Sequence, residues 1–146
     1  METGKAANPL LLENQLCFPL YACAREVVKR YKPFLDEIDL TYTQYITMMV
    51  LWEKREVTSK EIGERLHLDS GTLTPVLKKL AEKGLVTRNR SPVDERNLTV
   101  ALTEAGARLR QRAENIPAKM GECIVMDPQE AATLYGLLYK LLGSMA

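Results

Sequence analysis

Histidine occurs once in this chain of 146 residues, as His67, and cysteine three times, as Cys17, Cys23 and Cys123. One histidine argues against a zinc site built on imidazoles and against a triad with a histidine base. No Cys/His pair has metal-ligand spacing, and no cofactor is implied. Three cysteines do not make a disulfide framework and fit a reducing compartment. The longest apolar runs fall far short of the roughly 20 residues that cross a bilayer. Met1 to Pro9 lacks the basic-then-apolar pattern of a secretory leader. The expectation is a soluble, cytoplasmic chain. A strong charge of either sign is also missing: the formal net charge is +1, which by itself neither favours nor excludes a polyanionic partner.

What is present is apolar residue in quantity, 46% of the chain, enough for one mostly helical domain. Its centre runs from Thr58 to Thr103 and reads as helix, short turn, helix and a two-stranded hairpin. In the second helix Leu73, Val76/Leu77 and Leu80 recur at helical spacing and face a core. Ser70, Thr74 and Lys78 share another face of hydroxyls and a cation with no large apolar group. Such a face fits a DNA major groove, where small residues allow close approach. The hairpin adds Arg88, Arg90 and Arg96 around a Ser91-Pro92 tip. Between Ser70 and Arg90 stand Lys78, Lys79, Lys83, Arg88 and Arg90 against one acid, Glu82. A nearly neutral chain thus carries a basic stripe on its helix-turn-helix and wing. The alternative is an ordinary solvated helix face.

The flanks are helical. Pro9 fits a helix start, and Leu10 to Tyr31 forms a long pattern with Leu12, Leu16, Leu20, Ala24 and Val27/Val28 in a stripe that Phe18 and Cys23 widen. Pro33 interrupts it. A helix apolar round so much of its girth needs a second wall, and a partner subunit is the simplest one. The next helix spans about Thr43 to Arg55, with Ile46, Met49, Val50 and Trp52 inward. Thr58 or Ser59 caps the helix that ends at His67, and Asp69 or Ser70 caps the one after. Pro75 sits where it should distort that helix without breaking it, and Gly84 ends it. Thr103 opens a fifth helix to about Asn115. Pro117 interrupts this pattern, with a further turn or two through Met120 and Cys123. Asp127-Pro128 starts a last helix to Leu142. The chain therefore reads as a single 1–146 domain, with dimerisation helices over 10–32 and 103–146 and a winged-helix unit over 41–102.

This sequence resembles the MarR family of regulators. The residues that carry the likeness are Asp69-Ser70-Gly71-Thr72-Leu73-Thr74-Pro75-Val76-Leu77, Leu80, Gly84-Leu85-Val86 and the wing from Asp94-Glu95-Arg96 to Leu102-Thr103. Leu12-Glu13-Asn14-Gln15-Leu16-Cys17-Phe18, Tyr21, Tyr31-Lys32-Pro33 and Thr41-Tyr42-x-Gln44-Tyr45 narrow it to the organic-hydroperoxide-resistance group. The resemblance implies a homodimeric repressor that meets a pseudo-palindromic operator and leaves it when an N-terminal cysteine is oxidised. Cys17 would be that thiol. Tyr31 and Tyr42 would be phenols that hydrogen-bond it across the dimer, and Tyr21 a third tyrosine nearby. Ser70, Thr72, Thr74, Lys78, Lys79, Arg88 and Arg90 would face DNA. Arg96 would enter the minor groove, held by Asp94. Cys123 of the other subunit would resolve oxidised Cys17.

The chemistry agrees. Only a thiolate attacks peroxide usefully, and a free thiol has a pKa near about 8.5. Phenol O–H donors aimed at sulfur favour the charged form. Leu16, Phe18 and Leu20 suit an apolar peroxide. Cys23 lies about 240° round the helix from Cys17 and cannot pair with it without unfolding. A small-molecule thiol is the alternative to Cys123. Two rivals remain open: a thiol peroxidase using the same cysteine, which leaves the basic face without a role, and a MarR-type repressor released by a phenolic or apolar ligand, with no redox role.

Overall fold

The computed structural model describes residues 8–90 and 98–146, which divide into two compact units, one ending at Glu114 and one beginning at Asn115.

In the first unit a short 3-10 turn, Leu12–Asn14, precedes α1, Cys17–Asp36. The helix therefore starts later than Leu10 and ends later than Tyr31. Upstream, side-chain amides hold the chain in a turn: Gln15 Nε2 donates to the Pro9 carbonyl at 2.6 Å and Asn14 Nδ2 to that of Asn8 at 2.9 Å. Pro19 falls in the first turn of α1, where no helical N–H is needed. Pro33 lies inside the helix and does not stop it. One lost bond near a helix end is outweighed by the burial of Leu35, Ile38 and Leu40 just beyond.

Helix α2, Tyr42–Lys54, opens with a full capping box. Gln44 N–H donates to Thr41 Oγ1 at 3.3 Å, and Thr41 N–H donates to Gln44 Oε1 at 3.0 Å. Its buried face carries Tyr45, Met48 and Leu51, with Thr47 and Val50. Of the four residues expected inward only Val50 is buried; Ile46 and Trp52 are half-buried and Met49 is 46% exposed. Residues 45–52 are apolar nearly all round, so periodicity gives no phase. Trp52 instead reaches sideways, its Nε1 donating to the Gly106 carbonyl at 2.8 Å.

Strand β1, Glu56–Thr58, leads into α3, Ser59–Leu66, capped by Thr58, and α4, Ser70–Glu82, capped by Asp69. Helix α4 passes Pro75 unbroken and ends as a glycine-terminated helix does. Gly84, at φ +75°, donates to Ala81 O at 3.0 Å, and Leu85 N–H to Leu80 O at 3.1 Å. Strands β2, Val86–Arg90, and β3, Leu98–Leu102, pair antiparallel, and β1 pairs with the other edge of β3. The expected two-stranded hairpin is thus a three-stranded sheet, with Val100 opposite both Val57 and Arg88. Val100, Met48, Leu51, Ile62, Leu73, Leu77, Leu80 and Val86 make the core on which the helix-turn-helix rests. Helix α5, Glu104–Ala113, is capped by Thr103, whose hydroxyl also donates to Gly84 O at 2.7 Å.

The second unit holds α6, Ile116–Cys123, with Pro117 in its first turn, and α7, Pro128–Met145. Asp127 caps α7, accepting from the N–H groups of Gln129 and Glu130 at 2.8 and 3.4 Å.

Candidate nucleic-acid interface and cysteine sites

Helix α4 turns Leu73, Leu77 and Leu80 inward, and this leaves Ser70, Thr72, Thr74, Lys78 and Lys79 exposed. Asp69 Oδ1 accepts the Thr72 N–H at 2.7 Å, and that bond holds its carboxyl below the usual range. Thr74 Oγ1 donates to Ser70 O at 2.6 Å, so the hydroxyl offers lone pairs outward. Beside α4 a groove of about 960 Å³ runs between α3 and the sheet. Ser70, Thr74, Arg88 and Arg90 line it, together with Lys60 and His67 of the α3 segment. Arg88 and Arg90 are two apart on β2 and so lie on one face of the strand. Thr72, Lys78 and Lys79 lie outside that lining, and Lys79 is 3.7 Å from Glu82.

The basic stripe is one residue shorter than expected. Lys83 folds back onto Asp39 and Gln44. Lys60 and His67 were missed, although Lys60, Glu64 and His67 fall at i, i+4 and i+7 and mark one polar face of α3. Asp94 and Arg96 lie outside the described residues.

Cys17 is the first residue of α1, Cys23 lies within it and Cys123 ends α6; all three are exposed. The free N–H groups at a helix start favour negative charge there. Tyr31 and Tyr42 come together with ring centroids 4.9 Å apart. Tyr45, 3% exposed, completes the cluster at 5.8 Å from Tyr31 and 6.4 Å from Tyr42, and its ring meets Trp52 edge-on. Burial raises the pKa of all three phenols, and mutual repulsion adds to this for Tyr31 and Tyr45. They are therefore neutral O–H donors. Tyr21 stands apart, 59% exposed, with the Arg25 guanidinium 5.4 Å from its ring centre. Along α1, Tyr31 lies about 21 Å beyond Cys17 by helical rise. The Tyr31 phenol therefore does not reach the Cys17 sulfur of its own chain. Among the described residues no group of three His, Cys, Asp or Glu is placed to hold a metal ion. No described helix is long and apolar enough to cross a membrane.

Residues 29–112 match the family described as transcriptional regulator SarA/Rot. The organic hydroperoxide resistance transcriptional regulator of Bacillus subtilis is 47% identical over 92% of this chain and 91% of its own. The chain belongs to the SarA/Rot and MarR-type winged-helix regulators, in their organic-hydroperoxide-resistance group. In this regulator α3 and α4 form the helix-turn-helix and β2 and β3 the wing. Solved structures agree. AbfR of Staphylococcus epidermidis, in its reduced form bound to DNA, superposes with a TM-score of 0.74 at 35% identity, covering 92% of this chain and 94% of that one. Its disulfide form matches with a TM-score of 0.64 at 34% identity over 97% and 99% of the two chains. The family match begins within α1 after Cys17, whereas the Bacillus likeness covers most of the regulator.

Proposed function

We propose that the regulator is a homodimeric, DNA-binding repressor of the cytoplasm that senses organic hydroperoxides at Cys17 and releases its operator when that thiol is oxidised. The observation that carries this is an exposed thiol at the start of an apolar helix face, far from the neutral phenols of its own chain. A two-fold partner bringing its own Tyr31 and Tyr42 to Cys17 completes the site. Leu16, at the N-cap of α1, and Phe18 and Val28 within it are exposed, as a subunit interface requires. The exposed face of α4 and the arginines of β2 supply the duplex contacts, with Asp94 and Arg96 assigned to the wing tip. The described relatives support the assignment: AbfR binds DNA when reduced and also forms a disulfide.

The reaction is stoichiometric, not catalytic. The Cys17 thiolate attacks one oxygen of the hydroperoxide, an S–O bond forms and the O–O bond breaks. The alkoxide leaves and takes a proton to become an alcohol. The partner subunit's Cys123 then attacks the sulfenic sulfur, and water leaves as the S–S bond forms. Joining them requires Cα atoms roughly 5.5–6 Å apart, and reaching that distance from a longer one moves the helices that set the half-site spacing. Release by a small apolar ligand is less well supported. The pocket beside Tyr42, lined by Val28, Lys29, Leu35 and Leu40, measures about 240 Å³, below the roughly 300–1,000 Å³ of typical ligand sites.

The test is a titration of promoter DNA with reduced and organic-hydroperoxide-treated protein, for the wild type and Cys17→Ser. Oxidation should weaken wild-type binding by about 5- to 150-fold, the usual range of allosteric coupling, and leave the variant unchanged. Wild-type binding that ignores peroxide would end the sensor assignment. On non-reducing gels, a covalent dimer lost in Cys123→Ser supports the resolving role, and a monomer in the wild type returns that role to a small thiol.

A further inference from the structure

Two cations from elsewhere in the fold grip the turn between α1 and α2. From α5, Arg112 donates to the Glu37 carbonyl at 2.5 Å. From the C-cap of α4, the Lys83 ammonium donates to the Asp39 carbonyl and to Gln44 Oε1, the latter at 3.1 Å, and lies 3.6 Å from the Asp39 carboxylate. The end of α1 carries the negative pole of its peptide dipoles, so cations are favoured there. Asp39 itself has φ +53°, which closes the turn sharply.

Gln44 makes the second contact informative. Its Oε1 also accepts the Thr41 N–H, so Lys83 is bonded into the capping box that starts α2 at Tyr42. Gln44 is buried, and the side chain of Lys83 is 28% exposed, whereas that of Lys79, four residues earlier, is 66% exposed. Around the helix Lys83 lies about 140° from Lys78, the cation on the outward face. Lys79 lies only about 40° from Lys83 round the helix, so it is the bonds to Asp39 and Gln44, not helical phase, that turn the Lys83 ammonium away from the groups assigned to DNA.

We propose that Lys83 is a positioning residue for DNA binding. It ties the C-terminal end of the recognition helix to the α1–α2 turn and so sets the angle at which α4 meets the duplex. The duplex half of this inference rests on the DNA-binding function proposed above.

A phosphate contact and a tether differ in what salt does to them. Each neutralised phosphate contributes about 0.9 to the slope of log affinity against log salt. Lys83→Met should weaken operator binding by about 2- to 30-fold, the range for residues that act through a network, with the slope unchanged. Lys83→Arg should restore part of the loss. Lys78→Met serves as the contrast and should reduce the slope by about 0.9. A slope reduced to the same extent by Lys83→Met would make Lys83 a phosphate contact and overturn the tether.

Hydrogen exchange in the free protein keeps the two ideas separable. Lys83→Met should speed exchange in the segment 37–44 while leaving the core of α3 and α4 protected. Unchanged exchange there overturns the tether whatever the DNA result. A wild type that fails to bind duplex overturns the DNA-binding function instead, and the exchange result still decides the tether.

Discussion

Burial of phenols is the clearest residue-scale property of this regulator. Tyr31, Tyr42 and Tyr45 all have their pKa raised by desolvation. A group raised in the folded state stabilises the fold fully below its unfolded value, about 10 for tyrosine, and loses that contribution as pH climbs through the folded value. The contribution of these phenols should therefore be lost only in the alkaline range. A near-ultraviolet titration should show these three ionising later than a free tyrosine, and each single Phe substitution should remove one late component. Ionisation of all six tyrosines together at the ordinary value would refute the clustering. Asp69 works in the opposite sense. Its carboxyl is lowered by the Thr72 N–H bond, so the stability it lends α4 is present above the usual carboxylate range and lost as pH falls through the folded value. Tyr31 and Tyr42 were legible through family likeness. Tyr45 was missed as a site residue because position alone does not say which side of an apolar helix faces the cluster.

At the scale of elements, the start of α5 packs closely against Leu85, just after α4, and Leu102 of β3. A Cβ added at Gly106 would lie 2.2 Å from the Leu85 carbonyl oxygen and 2.8 Å from Leu102 Cδ1. The first of these is backbone and cannot swing away. Gly106→Ala should therefore cost at least about 3 kcal/mol, the upper end of overpacking penalties, read as a shift in the denaturation midpoint. A loss below about 0.5 kcal/mol, the usual size of a surface change, would show that the junction opens easily. Cap chemistry made Thr103 and Asp127 readable as helix starts and narrowed two others to Thr58 or Ser59 and Asp69 or Ser70, because a cap needs only its own neighbours. Strand β1 was not readable: three residues are too few for a period, and they become a strand only because β3 lies beside them. The start of α1 moved from Leu10 to Cys17 for a similar reason, since Pro9 and Pro19 both suit a first turn and side-chain amides decided between them.

For the molecule as a whole, the uncovered apolar surface is the main fact. Phe18 on α1 is 44% exposed and Leu137 on α7 is 58% exposed, with Leu16, Tyr21, Leu134, Tyr135 and Tyr139 also open. Soluble monomers rarely leave patches of that kind, and we propose both helices as dimer surfaces. A charge placed in such a surface stays buried and unpaired on association. Leu137→Asp should give a folded protein that sediments as a monomer and binds a two-half-site operator far more weakly. A dimer of unchanged mass would remove α7 from the interface.

The linear order of residues by itself determined the helix-turn-helix, its caps, the inward leucines of α4 and the outward hydroxyls and cations. Helical period and capping are local, so neighbours in sequence suffice to set them. Tertiary structure alone decided which face of α2 is buried, that the wing sheet has a third strand, and that Tyr45 joins Tyr31 and Tyr42. It also decided that Lys83 leaves the basic stripe for the α1–α2 turn. Each of these depends on a partner far away in the chain, and a side chain's partner is fixed by packing, not by its place in a pattern.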